Sequence, residues 1–377
     1  MHILIAPDSF KGSISSVQAA KTIEKAIQSV SPGTVTRSFP MADGGEGTVD
    51  AIMTATGGER ITKKVQDPLF RPVNADFGWI PDKKTAVIET AAASGLPLLK
   101  PEELAPHTCS TYGTGELIKE ALDVGAETII LGLGGSATVD GGVGLFQALG
   151  LRVYDKSGEV IEYPGGNLKQ IAGLDTSDLD KRLHDVTIIV ASDVTNPLLG
   201  PNGAISVFGP QKGVTPELLE RFEDGMRHFS TVVSNHTGRN EIQTPGSGAA
   251  GGIGYLLHSL LDVTFKPGLE LVVEESRLEE LLPSVDLIIT GEGKVDGQSL
   301  FGKVPVGLGK LAKRHGIPLV AFAGTIGKGS EELEKYGVSV IHPLATGPMA
   351  LEEAMINGEP LLYEAAVRLM KTLTLFN

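Results

Sequence analysis

Residues Glu127 to Gly142 read ETIILGLGGSATVDGG. The β-rich run Thr128-Ile129-Ile130-Leu131 predicts a strand. It feeds into Gly132, Gly134 and Gly135, and a small-residue helix is expected from about Val143. A strand that ends in glycines before a helix leaves N–H groups unpaired at the positive end of the helix dipole, which favours an anion. Ser136 and Thr138 add hydroxyl donors, and Asp140 adds a possible magnesium ligand. The stretch is expected to cradle phosphate.

The flanking chain predicts an α/β fold. Residues 3–6 read as a buried strand that ends at Pro7-Asp8-Ser9-Phe10-Lys11-Gly12. A helix follows, with Ser15 as N-cap, Gln18 completing a capping box and Pro32-Gly33 as its stop. A strand over 34–39 runs into Met41-Ala42-Asp43-Gly44-Gly45-Glu46-Gly47-Thr48, and a helix from 49 to about 56 comes next. This β-loop-α-β-loop-α order marks a parallel sheet, whose ligands sit beyond the carboxyl ends of its strands. Strands over 65–70, 73–80 and 85–89 then suggest a meander in a β-rich insertion. A helix over 116–123 is expected after Thr111-Tyr112-Gly113-Thr114-Gly115. Another strand, 186–191, ends at Ser192-Asp193-Val194-Thr195-Asn196-Pro197. A strand over 285–290 is followed by a polar loop from Gly291 to Ser299, and βαβα resumes to the end, continuing the N-terminal sheet. At 377 residues the chain exceeds one ordinary core, so two domains are expected.

Composition narrows the function. The formal charge of -14 argues against nucleic acid or an anionic membrane as partner. A single cysteine, Cys109, excludes an intramolecular disulfide and fits a reducing compartment. The start of the chain lacks the basic and long apolar runs of a signal peptide, so a soluble cytoplasmic protein is expected. The 8 histidines show no HxH or HExxH spacing, which leaves carboxylates and substrate phosphate as the expected magnesium ligands.

Two generic motifs compete. Gly132, Gly134 and Ala137 match a dinucleotide fingerprint, with Asp155 at the end of the next expected strand. Gly141 and Gly142 would break the helix that this fingerprint needs, and Asp140 would repel a pyrophosphate. The spacing Gly297-x-x-x-x-Gly302-Lys303 resembles a P-loop, but Val304 replaces the magnesium-binding hydroxyl and the expected strand ends at Thr290. A further set remains: Asp8/Lys11, Asp43/Glu46, Asp140, Asp193/Asn196 and Glu292/Lys294/Asp296, each expected in a loop after a strand. Each alone suits a cap or a turn. Five acidic loops at one sheet edge would repel one another unless a cation or a metal–polyphosphate were bound.

The segments APDSFKGS (Ala6 to Ser13), MADGGEGT (Met41 to Thr48), GLGGSATVDGG (Gly132 to Gly142), SDVTNPLLGPNGA (Ser192 to Ala204) and TGEGKVDGQS with FGK (Thr290 to Ser299, Phe301 to Lys303) resemble those of the first class of bacterial glycerate kinases, in the family's order and over essentially the whole chain. The resemblance implies ATP-dependent phosphorylation of D-glycerate with Mg2+. It also implies a Rossmann-like α/β domain built from both chain ends (1–65 and 285–377) and an inserted α/β domain (66–284), with the active site in the cleft between them. A homodimer stays open as the assembly.

For such a reaction, Lys11 and Arg71 are expected to pair with the carboxylate or a phosphate. Ser9, Gly44, Gly45, Ser192 and Asn196 are expected to line the substrate. Asp193 is the first choice for the general base, with Asp43 and Asp8 as alternatives. Gly134, Gly135, Ser136 and Thr138 would hold ATP phosphates, and Lys294 or Lys303 would stabilise the transferring charge. Asp140, Glu292 and Asp296 are the magnesium candidates. The 2-hydroxyl is the favoured acceptor. A kinase of another small hydroxy acid or sugar, and an NAD-dependent dehydrogenase, are the alternatives.

Overall fold

A computed structural model of the chain describes residues 1–300 and 303–375. Its strands are β1 (His2–Ile5), β2 (Val35–Ser38), β3 (Glu59–Gln66), β4 (Pro72–Ile80), β5 (Thr85–Glu89), β6 (Thr128–Gly132), β7 (Arg152–Tyr154), β8 (Gly173–Asp175), β9 (Thr187–Ala191), β10 (Val263–Lys266), β11 (Leu287–Val295), β12 (Leu319–Ile326) and β13 (Val340–Pro343). The helices used below are α1 (Ser16–Val30), α2 (Thr48–Thr56), α3 (Thr90–Ser94), α4 (Tyr112–Asp123) and α5 (Val143–Ala148). No helix among the described residues is long and apolar enough to cross a membrane. The α/β class with parallel sheets is as expected.

The chain divides into two compact units: 1–43, 50–57 and 267–377 form the first, and 44–49 with 58–266 form the second. The first unit holds a five-stranded parallel sheet in the order β13-β12-β11-β1-β2. From β1 the chain moves one way, through α1 to β2; from β11 it moves the other way, to β12 and β13. The order therefore reverses between β1 and β11, the kind of point where open α/β sheets bind ligands. Ala19, Ile23, Ala26 and Ile27 of α1 bury against the sheet, and Ser15 caps the helix by accepting from Gln18 N at 3.2 Å. Ser15 is thus the expected N-cap, but among the described residues Gln18 does not complete the capping box: its Nε2 donates to Glu359 Oε2 at 2.9 Å.

The second unit holds a six-stranded mixed sheet, β10-β9-β6-β5-β4-β3. β3, β4 and β5 pair antiparallel, as the meander requires, while β5, β6, β9 and β10 run parallel. Glu89, Gly132 and Ala191 stand in one register row at the carboxyl ends of these strands. Its core includes Ile129, Leu131, Phe146, Phe229 and Tyr255.

Four local expectations are corrected. The strand expected over 65–70 lies earlier, because Asp67 folds the chain: its Oδ1 accepts from Leu69 N and Arg71 N, both at 2.8 Å, and Phe70 takes φ +59°. The helix expected from Glu116 begins at Tyr112 and includes Gly113 and Gly115. These are not breakers but close approaches: a Cβ would lie 1.8 Å from Gln66 O at Gly113 and 2.1 Å from Leu145 O at Gly115. β11 runs on to Val295, paired with β12, so Gly291 to Val295 are strand and not loop. Finally, the polar loops stand at two sheets, not at one edge.

Candidate active site

At the reversal point of the first sheet, Asp8 follows β1 and its N–H donates to Gly291 O of β11 at 2.8 Å. Ser9 N donates back to Asp8 Oδ1 at 2.6 Å. Burial, with the charges of Asp43 and Glu292, raises the Asp8 carboxyl well above its ordinary range. Glu292 is buried on β11, accepts from Ser299 Oγ at 2.6 Å and lies 3.7 Å from Lys303 Nζ. Burial raises it too. Lys294 pairs with Asp296 at 2.7 Å. Lys11 and Asp43 are exposed. In the first unit the charges of Asp8, Asp43 and Glu292 thus act on one another, and Lys303 offsets those of Asp8 and Glu292.

The P-loop comparison changes in one respect. β11 ends at Val295, directly before Asp296-Gly297, and Lys303 stands at the start of the helix Val304–His315. The strand therefore reaches the glycine after all, but Val304 still lacks the hydroxyl. Phe301 and Gly302 of the FGK segment lie outside the described residues.

In the second unit, the segment 44–49 lies over the strand ends. Gly134 N donates to Gly44 O at 3.3 Å, and a Cβ on Gly134 would stand 2.4 Å from Gly45 Cα. Only glycine permits this approach. Glu89, which the sequence did not single out, is buried at the end of β5 and accepts from Val49 N at 2.7 Å and from Gly47 N. Burial raises its carboxyl to about 7. Ser192, Asp193 and Asn196 are half-buried in the turn after β9. Ser192 Oγ accepts from Val194 N, and Asn196 Nδ2 donates to Asn202 O at 2.8 Å.

The glycine loop departs from a helix-end phosphate cradle. Asp140 is fully buried, and its carboxylate accepts from Thr111 N, Thr111 Oγ1, Gly142 N and Gly144 N at 2.8–3.2 Å. The amides at the start of α5 are therefore taken by the protein's own carboxylate. Asp140 is a structural cap and leaves the list of magnesium ligands, because its lone pairs face four donors. Ser136 Oγ accepts from Lys212 Nζ at 2.6 Å, so this hydroxyl is directed inward. Gly135 is exposed, and Gly135 N and Ser136 N make no backbone hydrogen bond among the described residues.

Two more assignments change. Arg71 is bound to Asp67 Oδ2 and Glu103 Oε1, both at 2.6 Å, and to Leu98 O, so its guanidinium holds a turn and is not reserved for a substrate anion. Asp155 lies beyond β7, in a separate two-stranded sheet, and its Oδ1 accepts from Ser157 N and Glu159 N. It closes a turn and offers no ribose contact of the dinucleotide kind. Among the described residues no three His, Cys, Asp or Glu side chains are grouped to hold a metal ion. One or two carboxylates suffice when phosphate and water complete the shell of Mg2+, so Glu292 and Asp296 fit a nucleotide-borne ion and not a protein cage.

A profile of the glycerate kinase family matches residues 3–374. A glycerate kinase of Halalkalibacterium halodurans is 46% identical, with 97% of this chain and 96% of that protein covered. A glycerate 2-kinase of Escherichia coli is 41% identical, with 100% and 98% covered. A crystal structure from Salmonella typhimurium LT2, assigned as a glycerate kinase 2, superposes with a TM-score of 0.85 at 41% identity, covering 99% of this chain and 98% of the other.

Proposed function

The chain belongs to the glycerate kinase family, and we propose that it transfers the γ-phosphoryl group of ATP to the 2-hydroxyl of D-glycerate. The observation that carries this reading is the end-to-end likeness to a glycerate 2-kinase. The carboxylates at the strand ends supply chemistry of the required kind.

Phosphoryl transfer asks a protein mainly to position and to neutralise charge. Asp193, in the turn after β9, serves as the base or hydroxyl-orienting carboxylate, with Asp43 and Asp8 as the alternatives. Lys11 pairs with the glycerate carboxylate. Gly44, Gly45, Ser9, Ser192 and Asn196 line the substrate. Gly134 and Gly135 offer backbone to an oxyanion, and Lys303 and Lys294 balance the transferring charge. Glu292 and Asp296 are the carboxylates that would hold a Mg2+ ion brought by ATP, which would neutralise charge on its phosphates. The single buried Cys109 suits a reducing cytoplasm.

Phosphorus NMR of the product formed from ATP, Mg2+ and D-glycerate tests the proposal. A 2-phosphoglycerate resonance is expected. A 3-phosphoglycerate resonance would overturn the regiochemistry. No phosphoglycerate from folded, ATP-binding protein would overturn the substrate and leave a kinase of another hydroxy acid or sugar.

A further inference from the structure

Lys212 lies in the short helical turn Pro210–Lys212, closed by Gly213 at φ +93°. Its side chain is 2% exposed. Nζ donates to Ser136 Oγ at 2.6 Å and to Thr138 O at 2.9 Å. A solvated surface lysine makes no such contacts. Burying an ammonium costs several kcal/mol unless partners offset it, and an apolar side chain of similar volume would avoid that cost. Burial wins against the nearby Asp140 charge here, lowering the lysine to about 7. The retained charge therefore asks for a role that packing alone does not supply. The segment it grips is the glycine loop, in which Gly135 is exposed while Ser136 and Thr138 are buried, and Thr138 Oγ1 has no partner among the described residues.

We propose that Lys212 is the positioning residue of the Gly134–Thr138 loop: its ammonium pins Ser136 and Thr138 from the protein side, so that the loop backbone meets an oxyanion in one fixed shape. The inference rests on the reading of this loop as the anion-receiving part of the kinase site. The oxyanion is a phosphate of ATP or the carboxylate of glycerate; the two share one chemistry, and their Michaelis constants separate them. Backbone bonds also anchor the loop: Gly134 N to Gly44 O at 3.3 Å, and Leu96 N to Gly135 O and Ala137 N to Ser94 O, both at 2.9 Å. They hold the chain path and leave the side-chain end to Lys212.

The test compares wild type with Lys212→Met and Ser136→Ala. Lys212→Met is expected to fold and to raise the KM of one anionic substrate at least tenfold while leaving the other within twofold; wild type is expected to lose kcat/KM above about pH 7, and the variant is expected not to show that decline. Ser136→Ala removes one of the two contacts and should raise the same KM by a smaller factor. Hydrogen exchange of a peptide spanning 133–138 gives a second readout: the ligand whose KM rises should slow it in wild type and barely in Lys212→Met. Wild-type KM values and pH profile in Lys212→Met overturn the inference. Should that variant not fold, an unchanged KM in Ser136→Ala overturns it. Failure of both ligands to slow exchange in wild type instead overturns the anion-loop reading, whatever Lys212 does.

Discussion

Replacing Glu89 with glutamine should change how stability depends on pH, and the sign follows from burial. Glu89 closes β5, and its carboxylate accepts from Val49 N at 2.7 Å and from Gly47 N, joining the strand end to the 44–49 segment. Desolvation raises its pKa from 4.5 to about 7; the two N–H groups oppose this, and the charge of Glu46 adds to it. Between these values the native state keeps the proton and the unfolded chain has released it. The unfolded state then binds fewer protons, so unfolding free energy falls as pH rises. The contribution is complete below about 4.5 and is lost as pH passes about 7. At about 1.4 kcal/mol per pH unit, that interval amounts to about 3 kcal/mol. Glutamine stays neutral throughout, so the stability of Glu89→Gln relative to wild type should rise by about that amount between pH 5 and pH 8. Urea unfolding of both proteins at four pH values, followed by a probe in the second unit such as Trp79, measures the difference. A constant offset due to the changed hydrogen bonds subtracts out. Parallel curves for the two proteins would refute the reasoning, because they would mean that Glu89 titrates alike in the folded and unfolded chain.

Two further outcomes are expected. Asp140→Ala leaves three buried N–H groups and the Thr111 hydroxyl without their acceptor; at about 1–3 kcal/mol for each unsatisfied group, it should lower the melting temperature markedly or prevent folding, with Asp140→Asn milder. A thermal melt in the range of wild type for Asp140→Ala would return Asp140 to the list of functional carboxylates. Asp193→Asn should cut turnover by at least a hundredfold in a coupled ADP assay with little change in melting temperature, and near-normal turnover would pass the role of base to Asp43 or Asp8.

The fold was legible where local chemistry and global structure agree. The aliphatic runs at β1, β6, β9 and β11 are buried strands, and Ser15 caps α1 as its spacing with Gln18 predicts. Legibility ended where a glycine serves a distant neighbour. Gly113 and Gly115 read as loop because glycine disfavours helix, yet they sit in α4 because Gln66 and Leu145 carbonyls press on it. The same failure hid the length of β11, whose glycines read as a loop. Gly291 instead stands where a Cβ would press on Phe10 at 2.9 Å and on Phe322 O at the same distance.

The site was harder to read, for a different reason: the role of a charged residue is set by its partners, and these are remote in sequence. Asp140 carries the composition of a metal ligand, but Thr111, 29 positions earlier, takes its second oxygen. Arg71 looks like an anion receptor until Glu103, 32 positions on, claims it. Lys212 stands between Pro210-Gln211 and Gly213 and reads as an ordinary turn lysine; its acceptor Ser136 is 76 positions away. Asp140 and Lys212 therefore exchange the roles that composition suggests. The carboxylate placed to meet a cation ties the loop to the protein's own backbone, and the cation that reaches the loop comes from a turn with no motif. In a net acidic chain, a negative phosphate or carboxylate is opposed by most of the surface. A buried lysine beneath a glycine loop offsets that field locally without offering a mobile cation to solvent, which is why its loss should appear as weaker anion binding before it appears as lost stability.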